Sequence, residues 1–108
     1  ATDYIKKNYS SNISLKSVAQ HVFVSDSYLS RIFKENLNMS FVEYLTGIRI
    51  EKAIEFIKTT NLPNYAIAEK IGYENINYFG RVFKKTTGLT PTQYRSKYNS
   101  FDTGKNSE

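Results

Sequence analysis

The sequence predicts an all-α fold in which two helix–turn–helix units are joined by one long helix. Three observations carry the prediction. The chain repeats itself at an offset of about fifty residues. Each copy places apolar residues at helical spacing on both sides of a short break. The segment between the copies keeps helical spacing for about nineteen residues.

The repeat is specific. Val18, Ala19 and Val22 recur as Ile67, Ala68 and Ile71 at an offset of 49. Tyr28, Leu29, Arg31, Ile32, Phe33, Lys34 and Tyr44 recur as Tyr78, Phe79, Arg81, Val82, Phe83, Lys84 and Tyr94 at an offset of 50. One extra residue therefore sits in the second copy, between Ile71 and Tyr78. Position, type and spacing recur together, which points to two copies of one supersecondary unit.

Taken in order, Leu15, Val18, Ala19 and Val22 fall at i, i+3, i+4 and i+7, one face of a helix. Phe23-Val24-Ser25 interrupts it, with Ser25 as N-cap of the next helix. That helix carries Leu29, Ile32, Phe33 and Asn36 on one stripe, with Leu37 beside it. Asn38 then holds the place of Gly88 in the second copy. A left-handed residue closes a helix there, and Asn tolerates that conformation best after Gly. Ser40-Phe41-Val42-Glu43 reads as a capping box that opens the long helix, which runs to about Thr59.

The long helix carries two stripes. Phe41, Tyr44, Leu45 and Ile48 form one; Ile50, Ala53, Ile54 and Ile57 form the other. At about 100° per residue their centres lie on nearly opposite faces. A helix packed on one core keeps one stripe, so each half is expected to serve a different unit. A helix buried on most sides in one core is the alternative. Asn61-Leu62-Pro63-Asn64 ends it. In the second copy Ile67, Ala68 and Ile71 precede Gly72, which can supply the positive φ of a tight turn. Tyr78, Phe79, Val82 and Phe83 continue the pattern to Gly88. Thr90-Pro91-Thr92-Gln93 is a second capping box, with Pro91 at N1, and opens a short helix ending near Lys97. Asn64 stands where Leu15 stands in the first copy, with Tyr65 the candidate to cover the missing apolar group. The expected divisions are residues 1–40 for the first unit, 41–60 for the shared linker helix, 61–98 for the second unit and 99–108 for a loose polar tail.

Composition narrows the function. With 108 residues, 40% hydrophobic and 23% charged, the chain is sized for one folded unit or two very small ones. It has no cysteine and a single histidine, His21, so disulfides, thiolate chemistry and an ordinary zinc site are all unsupported. A cysteine-free chain fits a reducing cytosol. No apolar run approaches the roughly 20 residues that span a bilayer. The first residue is not Met, so a longer parent protein is expected. No nucleophile–base set, phosphate-binding loop or cofactor motif is present, and an enzyme is not expected. Glu43, Glu51 and Glu55 sit among Arg49, Lys52 and Lys58 and read as surface pairs rather than catalytic acids. The net charge is +5, and residues 75–97 alone carry Arg81, Lys84, Lys85, Arg95 and Lys97 with no acid. A compact basic segment suits a polyanion.

A helix in a DNA major groove reads bases with side chains left off its core face. In the first copy that face offers Ser27, Ser30, Arg31 and Lys34. In the second it offers Asn77, Gly80, Arg81 and Lys84, with Ile76 at the leading edge. Arg can bond guanine O6 and N7 together, Asn can bond adenine N6 and N7, and Ile can touch a thymine methyl. Gly80 would admit close approach. A helix-pair scaffold that binds proteins is the rival reading, although two copies are few for a solenoid. His21 reads as an exposed helix residue, with a phosphate contact as the alternative. The nine Tyr and seven Phe suggest base stacking at first sight, but their helical spacing favours packing.

These residues resemble the AraC/XylS-type transcription regulators. The second copy carries the resemblance in Ile67-Ala68-Glu69-Lys70-Ile71-Gly72-Tyr73, Asn77-Tyr78-Phe79-Gly80-Arg81-Val82-Phe83-Lys84-Lys85 and Gly88-Leu89-Thr90-Pro91-Thr92-Gln93-Tyr94-Arg95. The first carries it in Ser25-Asp26-Ser27-Tyr28-Leu29-Ser30-Arg31-Ile32-Phe33-Lys34, and the linker in Arg49-Ile50 and Ala53. The resemblance implies about seven helices and two recognition helices in successive major grooves of double-stranded DNA. It implies base contacts at Ser27, Ser30, Arg31, Ile76, Asn77, Gly80 and Arg81. Lys34, Lys84, Lys85 and Arg95 are the phosphate candidates. Asn38 in place of a usual Gly, and Gly80 in place of a usual Ser, are departures that leave the fold intact; they bear on the base preference of the second copy. The style is that of the output domain of a two-component response regulator, with an effector-binding partner domain as the alternative. A regulatory domain would then precede Ala1, RNA polymerase is a further candidate partner, and the setting is cytoplasmic.

Overall fold

A computed structural model describes residues 2–98 as seven helices, with no strand among them. They are α1 (Thr2–Asn8), α2 (Leu15–His21), α3 (Asp26–Ile32), α4 (Phe41–Thr59), α5 (Asn64–Ile71), α6 (Ile76–Thr87) and α7 (Pro91–Tyr98). A π-helical turn, Phe33–Leu37, continues α3. The expected tail, residues 99–108, lies outside the described residues. The chain divides into two units at Arg49 and Ile50, inside α4.

The first unit has its own core of Ile5, Val18, Ala19, Leu29, Phe33, Phe41 and Leu45, with Leu15, Tyr44 and Ile48 packed against it. The first apolar stripe of α4 is therefore spent here. Phe33 meets Phe41 edge-on, with ring centroids 6.0 Å apart. α1, which the sequence pattern leaves unmarked, adds Ile5 to this core, and its Tyr4 stacks on His21 at 4.0 Å. His21 is otherwise exposed, as expected. Arg49 ties down the segment after α1 by donating from Nε to the Tyr9 carbonyl (2.8 Å) and from Nη2 to the Ser11 carbonyl (3.0 Å).

Helix ends are closed by local chemistry. Ser14 and Ser17 cap α2 reciprocally, at 3.1 and 2.9 Å. Ser25 Oγ accepts from the Tyr28 N–H at 3.1 Å and caps α3. The turn after α2 is a Schellman closure: Phe23 donates to the Gln20 carbonyl and Val24 to the Ala19 carbonyl. Phe23 itself takes φ 61° and is 92% exposed. Asn38 is left-handed at φ 58°, as its alignment with Gly88 requires. The capping box at α4 is complete: the Glu43 N–H donates to Ser40 Oγ (3.1 Å), and the Ser40 N–H donates to Glu43 Oε1 (2.8 Å). The bond from the Ser40 N–H holds the Glu43 carboxyl below its ordinary range. Desolvation opposes this, while the Ser40 hydroxyl and the charge of Lys34 lower the carboxyl further.

The second unit repeats the plan. Ile50, Ala53 and Ile57 from the second stripe of α4 are buried, as are Ile67, Ala68, Ile71, Tyr73, Phe79 and Phe83. Gly72 takes φ 103° in the same Schellman geometry, with Tyr73 donating to the Ala68 carbonyl. Gly88 takes φ 89°. The Thr90–Gln93 box closes at 2.9 and 3.1 Å. One detail corrects the sequence reading. Tyr65, 67% exposed, does not fill the place of the missing apolar group. Asn64 instead replaces the apolar contact by a hydrogen bond, donating from Nδ2 to Thr92 Oγ1 at 3.0 Å.

Candidate nucleic-acid interface

Each unit holds its second helix by one face and leaves the other to solvent. In α3 and its π turn, Leu29 and Phe33 are buried and Ile32 is half-buried. Ser27, Ser30, Arg31 and Lys34 are all exposed. In α6, Phe79 and Phe83 are fully buried. Ile76, Asn77, Arg81, Lys84 and Lys85 are exposed, and Gly80 is half-buried. Helical spacing alone produces this division, because the core residues recur at i and i+4 and pull one stripe inward.

The two faces differ in charge. Ser27, Ser30, Arg31 and Lys34 line an open concavity of about 790 Å³, and Asp26 and Glu35 line it too. The cations of the first unit therefore share their surface with two carboxylates. The α6 face carries Arg81, Lys84 and Lys85 in a stretch without an acid. Asn75 starts that helix, its Oδ1 accepting from the Asn77 and Tyr78 N–H groups at 2.8 and 3.0 Å. A β-carbon added at Gly80 would meet nothing within 4 Å, so no packing inside the unit demands a glycine there.

Two features escape the periodicity reading. Tyr28 and Tyr78 are 45% and 50% exposed rather than packed. Each underlies the arginine three residues on: Arg31 Cζ lies 5.5 Å from the Tyr28 ring centroid, and Arg81 Cζ lies 6.0 Å from that of Tyr78. The signal was in the repeat, which preserves both members of the pair. The other feature is Arg95. Its guanidinium donates to the Thr60 carbonyl and Asn64 Oδ1, both at 3.4 Å, and to the Leu62 carbonyl. The carbonyls following α4 accept from its Nη1 and Nη2, an internal tie that the charge pattern does not announce. The other ten candidates lie on the two helix faces.

Residues 18–97 match the family model described as a helix-turn-helix domain, of the AraC type. The chain belongs to that family. This AraC-type domain is 46% identical to the C-terminal domain of AraT, a response regulator from Geobacillus stearothermophilus, with a TM-score of 0.88 over 90% of this chain and 81% of that one. It is 37% identical over 97 residues to the arabinose operon regulatory protein of Escherichia coli K12, a match covering 89% of this chain and 33% of that protein. The AraC-type domain also shares its fold with the DNA-binding domain of AdpA, a global transcriptional factor solved with a target DNA. That domain is 16% identical, with a TM-score of 0.86 over 90% of this chain and 87% of that one. The chain spans about a third of the length of the curated relatives it matches.

Proposed function

We propose that this chain is the DNA-reading part of a longer regulator, which places α3 and α6 in successive major grooves of one duplex. Sequence-specific DNA binding by a transcription regulator is the function its family membership carries. The finer reading is carried by one observation: two exposed helix faces present an arginine at the same place, one of them in a wholly basic setting. Arg31 and Arg81 are assigned to guanine, Asn77 to adenine and Ile76 to a thymine methyl. Ser27 and Ser30 bond to base edges, and Gly80 lets the α6 backbone come close. Lys34, Lys84 and Lys85 neutralise phosphates.

The likeness to a response regulator's C-terminal domain, and the third of the relatives' length that the chain spans, support a regulatory domain N-terminal to this one. RNA polymerase is the protein partner this reading entails for an activator. A cytoplasmic setting follows from the DNA partner. No helix among the described residues is long and apolar enough to cross a membrane.

The test uses a duplex enriched from a random-sequence pool by binding to this chain. Retention on unrelated DNA should fall steeply with salt as condensed counterions are released. Lys84→Ala or Lys85→Ala should weaken binding to every sequence alike. Arg81→Ala and Asn77→Ala should relax preference at particular base pairs, by roughly 1–3 kcal/mol where a bidentate contact is lost. Salt-insensitive retention would favour a protein-binding scaffold. An Arg81→Ala loss shared equally by all base variants would make Arg81 a phosphate contact.

A further inference from the structure

We propose that Tyr28 and Tyr78 are positioning residues for the two base-reading arginines, and that the second unit holds its arginine more firmly than the first. This rests on the assignment of Arg31 and Arg81 as base readers. Both tyrosines stand half-exposed on a recognition face, where burial gives a ring little reason to be. In both units the guanidinium three residues on lies over that ring, at 5.5 and 6.0 Å. The arrangement recurs at the repeat offset of 50 in two different surface settings, so it belongs to the unit's design.

A cation over a ring is attracted by the ring's quadrupole. That attraction uses up no N–H, so the guanidinium keeps its donors for O6 and N7 of a guanine. A long side chain already confined to one side of its helix loses less freedom on docking. The ring therefore adds to discrimination without touching a base.

The two platforms are anchored differently. Tyr78 meets Tyr73 edge-on at 5.7 Å, Tyr73 lies at 5.8 Å from Phe79, and Phe79 meets Phe83 edge-on at 5.7 Å. Tyr73 is 8% exposed and both phenylalanines are fully buried. An unbroken run of rings thus connects the core to Arg81. At the repeat offset of 49 the residue matching Tyr73 is Val24, which has no ring to continue such a run. Guanine reading should accordingly be stricter under α6 than under α3.

The experiment uses the enriched duplex and its single-base variants, with affinity measured for each. Arg31→Ala and Arg81→Ala first locate the base pair each one reads. If neither changes any base preference, the base-reader assignment falls and the proposal with it. At the Arg81 pair, Tyr78→Leu should lower the ratio of cognate to variant affinity about two- to fivefold, and Tyr78→Phe, which keeps the ring, should preserve it. Tyr28→Leu should lower the ratio at the Arg31 pair by less than about twofold. A partly unfolded variant loses both affinities alike, so the ratio is blind to a merely structural defect. The platform is overturned if Arg81→Ala collapses the ratio while Tyr78→Leu leaves it intact. It is equally overturned if Tyr78→Phe behaves like Tyr78→Leu, since the hydroxyl would then be the active group. Equal losses in the two units would overturn the difference in anchoring.

Discussion

Gly80 and Phe23 depart from the ordinary cost of backbone conformation in opposite directions. A glycine inside a helix costs roughly 0.5–1 kcal/mol relative to alanine, and nothing within 4 Å of Gly80 demands one. Gly80→Ala should therefore raise stability to denaturant by about that amount while weakening binding to the enriched duplex severalfold. Unchanged affinity would mean that α6 makes no close approach at Gly80. Phe23 occupies the position that Gly72 holds in the second unit, at φ 61° and 92% exposed. A left-handed L-residue costs roughly 1–2 kcal/mol, partly offset by the extra freedom a glycine has when unfolded. Phe23→Gly should stabilise the chain by about 0.5–1 kcal/mol, read as a rise in Tm; a fall would mean that the ring contributes to the fold. The offset of 49 sets Phe23 against Gly72, a signal that the apolar spacing does not use. Arg95 is the opposite case: its charge is plain in the sequence, but its carbonyl partners come from a segment more than thirty residues away.

Elements were legible where period and capping agree. Val18, Leu29, Ile67 and Phe79 are buried, and the two stripes of α4 are buried or half-buried, because helical spacing turns them to one side. Both capping boxes close because Ser40 and Thr90 stand three residues before a side chain that can reach back. α1 was not legible, because seven residues with one buried side chain, Ile5, carry too little period. The capping boxes also predict a pH effect confined to one unit. The Glu43 carboxyl is held below its ordinary range, chiefly by the Ser40 N–H. A lowered folded-state pKa stabilises fully above the unfolded value, and the benefit is lost as pH falls through the folded one. Between about pH 5 and 3 the wild type should therefore lose more Tm than Glu43→Gln, which keeps a box of the Gln93 kind without the titration. Parallel Tm curves would show that the Glu43 charge is not coupled to folding.

On the proposed function, one chain reads two groove segments through one linker helix. α4 runs unbroken through 19 residues, roughly 28 Å at 1.5 Å per residue, and successive major grooves on one face of a duplex recur at about 34 Å. An alanine inserted between Arg49 and Ile50, where the two units divide, would turn everything after it by about 100°. Each unit keeps its own buried residues on its own side of that point, so both should still fold. Hydroxyl-radical footprinting of the wild-type chain beside this insertion variant, on the enriched duplex, tests the claim most directly. The account predicts two protected segments about one helical turn apart for the wild type, on an asymmetric site, and loss of the paired footprint with affinity near the non-specific level for the variant. A single protected segment for the wild type, or an unchanged pair at native affinity for the variant, would contradict it.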